Sequence, residues 1–456
     1  SIRRKVILEL KANTPINDFL QSYAGSGISR FHMPGHKGVS LHGLEALDIT
    51  EIKGADYLYE ADGVISSSED ITSRIFGTAH TLYSTEGSSL SIKTMLSIAV
   101  RCRSKSGRTK VIAARNAHKA FINGCILLDI DPVWIYSSAP SASVCGCNVT
   151  AADVKSALDS APDAAAVYIT SPDYLGNLAD IEGISRICKT YGVPLLVDNA
   201  HGAYLKFLSP SLHPIDLGAD MCCDSAHKTL PVYTGGSYLH ISHSAPEEFS
   251  LCAKSEMALF SSTSPSYLIM GSLDKCAGEL QGTLPERIRQ CCRRTEHAAE
   301  KIRACGWDTA GEEPMKLTVC PNSCGYRGGE LAEIMRAYGI ECEYSDYSSV
   351  VFMPSPYNAE KDFLRLERAF EEIPKKPALT AEIEMFPRTD SVMSLREAYF
   401  SPFEEIPADM ASGRTCARPA LSCQPSIPLI TGGEIFTPDI IKILKNYSIF
   451  TVSVVK

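Results

Sequence analysis

From about residue 75 onward, short apolar runs alternate with stretches whose apolar residues recur every three or four positions. The runs KVIAA (110–114), DPVWIY (131–136), AAAVYIT (164–170) and VPLLVD (193–198) predict short buried strands. Segments 88–101, 117–128, 151–159 and 180–191, interspersed with them, carry the helical period. Such alternation predicts an α/β fold on a mostly parallel sheet with helices on both faces. Strands this continuously apolar are covered on both sides.

After about residue 285 the texture changes. RIRQCCRRTEHAAEKIRACG predicts a long charged helix, followed by a strand at MKLTV, a helix at 329–338, a strand at SSVVFMP and a helix at 360–371. That pattern fits a smaller α+β domain. The first forty residues, where Pro34 and its flanking glycines interrupt FHMPGHKG, read as an irregular arm. The expected organisation is an arm at 1–40, a large domain at 41–285 and a small α+β domain at 286–456. Within the last, 401–433 reads as an ordered loop rich in Pro, Gly and Ser.

A chain of 456 residues, 45% apolar and 21% charged, is long enough for two domains and a substantial core. Its formal charge of -9 disfavours nucleic acid as a partner. No stretch approaches the length of a membrane span, and SIRRKVILELKANTP has no apolar signal core, so a cytoplasmic protein is expected. Seventeen cysteines in so long a chain read as reduced, mostly buried thiols. The close pairs Cys145 and Cys147, Cys222 and Cys223, Cys291 and Cys292, and Cys320 and Cys324 lack the repeated C-x2-C spacing of structural zinc, so no metal is expected.

The segment CCDSAHKTLP (222–231) places Lys228 after a run of small and apolar residues. A buried lysine is costly unless paired or neutral, and a neutral amine is suited to Schiff-base chemistry. VPLLVDNAHG ends a strand on Asp198 and sets His201 three residues later. Ligands of open α/β sheets gather at the carboxyl ends of the strands. Gly87, Ser88 and Ser89 in YSTEGSSLSIKTML open a helix, where backbone N–H groups cradle phosphate. ARNAHKAF puts His118 at the start of the next helix. Each feature has an ordinary structural reading by itself, as cap or core residue. Together, a phosphate cradle, a strand-end acid, a ring-bearing histidine and a lysine describe a pyridoxal phosphate site.

Over nearly its whole length the chain resembles the ornithine/lysine/arginine decarboxylase family, bacterial pyridoxal phosphate enzymes of fold type I, in the short form without the N-terminal wing domain. FHMPGHKG, DITEIKGADYLYEADGVI, SAHKTLPVYTGGSYLH, STSPSYLIMGSLD, EPMKLTV, GIECEYSD and SIPLITGGEIF carry the resemblance, in order. It implies an aspartate aminotransferase-like large domain and a roster of roles. Lys228 would hold the cofactor aldehyde, Asp198 would pair with its ring nitrogen, His118 would stack on the ring and His201 would lie near its hydroxyl. Gly87, Ser88, Ser89, Ser225 and His227 would hold the phosphate. Ser262 and Thr263 would reach the phosphate of a neighbouring subunit, making a homodimer with shared sites. Lys228 or His227 would return a proton to Cα after CO2 leaves.

Four positions depart from the family pattern near the expected site: Tyr59 replaces a typical His, Glu86 the usual Asn or Ser, Asn199 an acid and Gly235 a common Gln. For a basic substrate the distal cation needs an anion, and Asp56 and Glu434 are the candidates. An aminotransferase or carbon–sulfur lyase on the same fold, or a homologue without catalysis, are the rival readings. An aminotransferase would need a small-domain arginine on the α-carboxylate, for which Arg388, Arg396 and Arg414 are available.

Overall fold

The computed structural model describes residues 13–103, 108–136, 143–146, 148–379, 388–421 and 426–456. A seven-stranded sheet forms its centre: β1 (His80–Ser84), β2 (Thr109–Ala114), β3 (Ile130–Ile135), β4 (Ala166–Thr170), β5 (Leu195–Asp198), β6 (Met221–Asp224) and β7 (Ser237–Ile241), in the order β1-β7-β6-β5-β4-β2-β3. β7 runs antiparallel to both neighbours, and the other pairings are parallel. The fold is α/β, as the alternation predicts.

Helices cover both faces. Ser88–Arg103, Lys119–Leu128 and Glu247–Phe260 pack on one side, where Phe121, Leu96 and Tyr168 share a core. Ala151–Ser160 and Ile181–Tyr191 cover the other side through Val154, Leu158 and Ile184. Local chemistry fixes their ends: Thr150 and Asp153 form a reciprocal capping box, and Asp180 accepts from the Gly183 N–H. Each such cap is worth about 1 kcal/mol.

A four-stranded antiparallel sheet follows: β8 (Asp308–Ala310), β9 (Leu317–Cys320), β10 (Tyr344–Ser345) and β11 (Val350–Phe352), in the order β10-β11-β9-β8. Helices Leu284–Ala304, Gly328–Ala337 and Glu360–Glu372 enclose its core around Trp307 and Phe370. A separate cluster joins Leu175, after β4, to Tyr344 and Val351 of the second sheet. The two sheets thereby meet beside the end of β4.

Two expectations need correction, and three strands go beyond those expected. The N-terminal arm contains a helix, Pro15–Ala24, because Pro15 pre-sets its first turn and Ile16 and Leu20 bury one stripe. The stretch 401–433 is not all loop: Phe403–Pro407 pairs with Thr451–Val455, and Ala420–Leu421 with Pro428–Ile430. β1, β6 and β7 carry no clear strand signal, since buried Ser237 and His240 look like surface residues and β6 is only four residues long. All fifteen described cysteines are free thiols; Cys147 and Cys423 lie outside the described residues. No helix among the described residues is long and apolar enough to cross a membrane.

Candidate active site

β2, β4, β5 and β6 are parallel, so their carboxyl ends share one edge of the sheet, and the chain beyond them encloses a cavity of about 400 Å³. Asp198 is the last residue of β5 and is buried, 2% exposed. Its carboxylate accepts from Tyr168 Oη at 3.0 Å, the Ala200 N–H at 3.2 Å and Cys223 Sγ at 3.6 Å. With donors on both oxygens it is fixed as an acceptor facing the cavity.

Beyond β6 the chain turns through Ser225 into a one-turn helix, Ala226–Thr229, which projects Lys228 into the same cavity. Lys228 Nζ lies 2.9 Å from His201 Nε2 and 5.8 Å from the centre of the Tyr174 ring. Burial pulls the amine below the ordinary lysine pKa, against the opposing charges of Asp198 and Glu343. His201 is buried, and its basicity is lowered by desolvation and then by the neighbouring Lys228 charge. Its Nδ1 has no protein partner.

His118 caps helix Lys119–Leu128 by accepting the Ala120 N–H on Nδ1 at 3.1 Å, so its proton sits on Nε2. Burial keeps this ring neutral by lowering its pKa. His227 Nδ1 donates to Gly236 O at 2.9 Å and leaves Nε2 as an acceptor, and burial lowers its pKa too.

The anion cradle is built from Gly87 to Ser89. Gly87 adopts φ +70° and gives its N–H to Gly235 O at 2.7 Å. It therefore shapes the turn rather than donating to a ligand. Ser88 and Ser89 follow at the N-terminus of helix Ser88–Arg103, where unpaired N–H groups and the helix dipole favour an anion. Ser225 Oγ meets Ser88 Oγ at 2.8 Å, bringing a third hydroxyl to the same spot.

The departures from the family pattern acquire physical reasons here. Gly235 has φ +97°, and a Cβ on it would lie 2.9 Å from Thr85 O, so glutamine does not fit this turn. Gly235→Ala is expected to lower stability by about 1–3 kcal/mol and to weaken phosphate binding. Chemical denaturation and phosphate titration would check this. Glu86 accepts the Ser262 N–H at 2.7 Å and so ties the exposed Ser262–Thr263 loop to the cradle. Tyr59 is buried outside the cavity, edge-on to Tyr57.

Two sequence candidates are spent elsewhere. Asp56 accepts five backbone N–H groups, from Tyr57, Asp62, Gly63, Ile65 and Ser66, and thus caps helix Val64–Phe76. Burial pushes its pKa up, but those donors hold it below the usual value. Glu434 is buried against Arg115 at 3.3 Å and accepts the Thr431 N–H at 2.6 Å, outside the cavity. Neither carboxylate is available to a substrate cation.

Sequence reasoning missed Asn116, Thr170, Tyr174 and Glu343. The first three follow or end strands β2 and β4, so the strand-end rule could have found them. Asn116 Oδ1 and Thr170 Oγ1 line the cavity with no protein partner, as His201 Nδ1 does. Tyr174 stands edge-on to His201, 4.7 Å between centroids, and its hydroxyl donates at 2.9 Å to Glu343, which is exposed and does not itself line the cavity. Glu343 comes from the segment just before β10, brought here by the junction of the two sheets.

Residues 14–318 match the family model described as the major domain of Orn/Lys/Arg decarboxylase. The chain belongs to the Orn/Lys/Arg decarboxylase family. It is 30% identical to the uncharacterized protein YaaO of Bacillus subtilis, over 95% of this chain and 94% of that one. It is 29% identical to the arginine decarboxylase of the same organism, over 95% and 93%. The constitutive lysine decarboxylase of Escherichia coli has the same fold, with TM-score 0.77 and 18% identity, over 97% of this chain and 82% of that one. Orn/Lys/Arg decarboxylases are fold-type-I enzymes, and this member is by class an amino acid decarboxylase, a carbon–carbon lyase. The family and its relatives' names point to a basic amino acid without fixing which one.

Proposed function

We propose that this chain, as a cytoplasmic homodimer, uses pyridoxal phosphate to decarboxylate arginine, lysine or ornithine. The carrying observation is the convergence of Lys228, Asp198, His118 and the Ser88–Ser89 helix start on one cavity. The cavity also holds buried polar atoms without protein partners, Asn116 Oδ1, Thr170 Oγ1 and His201 Nδ1, as a polar heterocycle requires. The residues therefore fit the cofactor. Ser88, Ser89, Ser225 and His227 would hold its phosphate, with Gly87 shaping the turn. Asp198 would pair with the ring nitrogen, His118 would stack on the ring and His201 would lie near its hydroxyl. Ser262 and Thr263, exposed and tied to the cradle through Glu86, would serve the phosphate of a second copy.

Bound there, pyridoxal phosphate supplies an aldehyde for the amino group and an electron sink for the pair left when CO2 departs. The protein's part is electrostatic and geometric. Asp198 would set its carboxylate against the ring nitrogen, whose protonated form a neighbouring anion favours. Lys228, its amine made easier to deprotonate by burial, offers a nucleophile first and a proton for Cα later. His227, with Nδ1 committed to Gly236 O, has only Nε2 for such a transfer.

The α-carboxylate gains most from an environment that does not neutralise it. Among the described residues no arginine lines the cavity. Arg396 donates to the Ile126 and Leu127 carbonyls, Arg414 to Glu404 and the Val455 carbonyl, and Arg388 lies over Tyr136. This supports decarboxylation over transamination.

Glu343 is assigned to the substrate's distal cation. No lysine or arginine pairs with it among the described residues, Tyr174 of the cavity wall donates to it, and its charge acts on Lys228. A charge-assisted contact is worth about 1.5–3 kcal/mol, so Glu343→Gln is expected to raise KM for the basic substrate at least about tenfold with little change in kcat. An unchanged KM would remove Glu343 from the account.

A further inference from the structure

Behind the cavity lies a buried cluster with no role so far. Asp224, His213 and His240 are each 0% exposed. Asp224 Oδ2 accepts from His213 Nε2 and His240 Nε2, both at 3.1 Å, and Oδ1 accepts from Asn199 Nδ2 at 2.6 Å. Thr81 Oγ1 lies 2.8 Å from His240 Nδ1 and holds that ring in turn. The cluster keeps Asp224 ionised, well below the usual carboxylate range: burial opposes this, but the two histidines outweigh it.

The position of this cluster matters. Asp198 and Cys223 are the last partners in the β5–β6 ladder, and the Asn199 N–H still reaches Cys223 O at 3.0 Å. One residue further the strands separate, one chain leading to His201 and the other to Lys228. Between the end of the ladder and the 2.9 Å Lys228–His201 contact, the Asn199–Asp224 bond is the cross-link. We infer that the Asn199–Asp224 clasp, anchored by His213 and His240, is a positioning device that sets Lys228 against Asp198 and His201. It explains the amide at 199, where the resemblance expects an acid: a carboxylate there would face Asp224 at hydrogen-bond distance, both groups 0% exposed. This inference rests on the role proposed for Lys228.

The test exchanges the two partners. Asn199→Asp sets two buried carboxylates against each other. Asp224→Asn added to it restores one donor and one acceptor, and the new amide oxygen still accepts from both histidines. Two readouts are followed in parent, single and double variants. The first is kcat and KM for the basic amino acid. The second, on the protein without cofactor, is the rate at which formaldehyde and borohydride methylate Lys228, read by peptide mass spectrometry.

Asn199→Asp is expected to lower kcat about tenfold or more with KM nearly unchanged, and to slow Lys228 methylation by a similar factor, as a misplacement near the reacting atoms does. The double variant is expected to return to within about threefold of the parent in both, the signature of a direct pair. A single variant equal to the parent, or a double variant no better than the single, would overturn the clasp. If methylation follows this cycle while the parent releases no CO2, the clasp stands and the proposed function fails.

Discussion

Replacing Lys228 with alanine is expected to eliminate both turnover and the visible absorbance of lysine-bound cofactor. In the proposed function the lysine would carry two duties, as the nucleophile that receives the cofactor aldehyde and as a proton source at Cα. Losing both should lower kcat by at least about four orders of magnitude, or about 5.5 kcal/mol of barrier. The same substitution relieves a burial cost. With its pKa lowered by burial, the folded state binds a proton at Lys228 less readily than the unfolded chain. That group's contribution to the stability of the cofactor-free protein therefore rises with pH towards the unfolded lysine value and is unfavourable below the folded one. Pyridoxal phosphate titration followed by absorbance checks the first effect, and denaturation of the cofactor-free variant checks the second. A variant with undiminished absorbance would place the reactive amine elsewhere.

Asp198→Asn is the second large effect. With its oxygen towards the Ala200 N–H the amide can turn its NH2 to the Tyr168 hydroxyl, which then accepts, so the fold changes little, but the negative charge at the end of β5 is removed. In the proposed function the loss of that charge would favour the unprotonated ring nitrogen and a weaker electron sink. Turnover is expected to fall about a thousandfold, about 4 kcal/mol of barrier, while cofactor affinity drops much less. Single-turnover kinetics with saturating cofactor separate the two quantities. Activity within a few fold of the parent would contradict the role given to Asp198.

Legibility in the sequence followed burial. β2 to β5 are nearly continuous apolar runs, so their period and their position between helices announce a parallel sheet. Lys228 was legible because an ammonium sits badly among small and apolar residues, and Asp198 because it ends such a run. Glu434 and Asp56 misled for one shared reason. A carboxylate in a motif looks free until backbone N–H groups or a buried guanidinium claim it, and those partners appear only with the fold. Glu343 stayed hidden for the converse reason. In GIECEYSD it reads as an ordinary surface acid, and only the junction between Leu175 and Tyr344 carries it to the Tyr174 hydroxyl. The buried His213–Asp224–His240 cluster escaped notice because three polar residues on separate segments have no pattern in common.

Glu86 and Gly235 show how departures from a family pattern can be structural. One acid ties down the Ser262 loop, and one glycine avoids the Thr85 carbonyl.

The measurement that tests the central claim most directly is release of CO2, with the matching amine, from the purified chain supplied with pyridoxal phosphate. Arginine, lysine and ornithine should be tried beside leucine and an aromatic amino acid. Stoichiometric CO2 and amine from one or more of the basic three, and none from the others, is the predicted result. Keto acid in place of CO2, or no product from any basic amino acid while the cofactor is bound at Lys228, would contradict it.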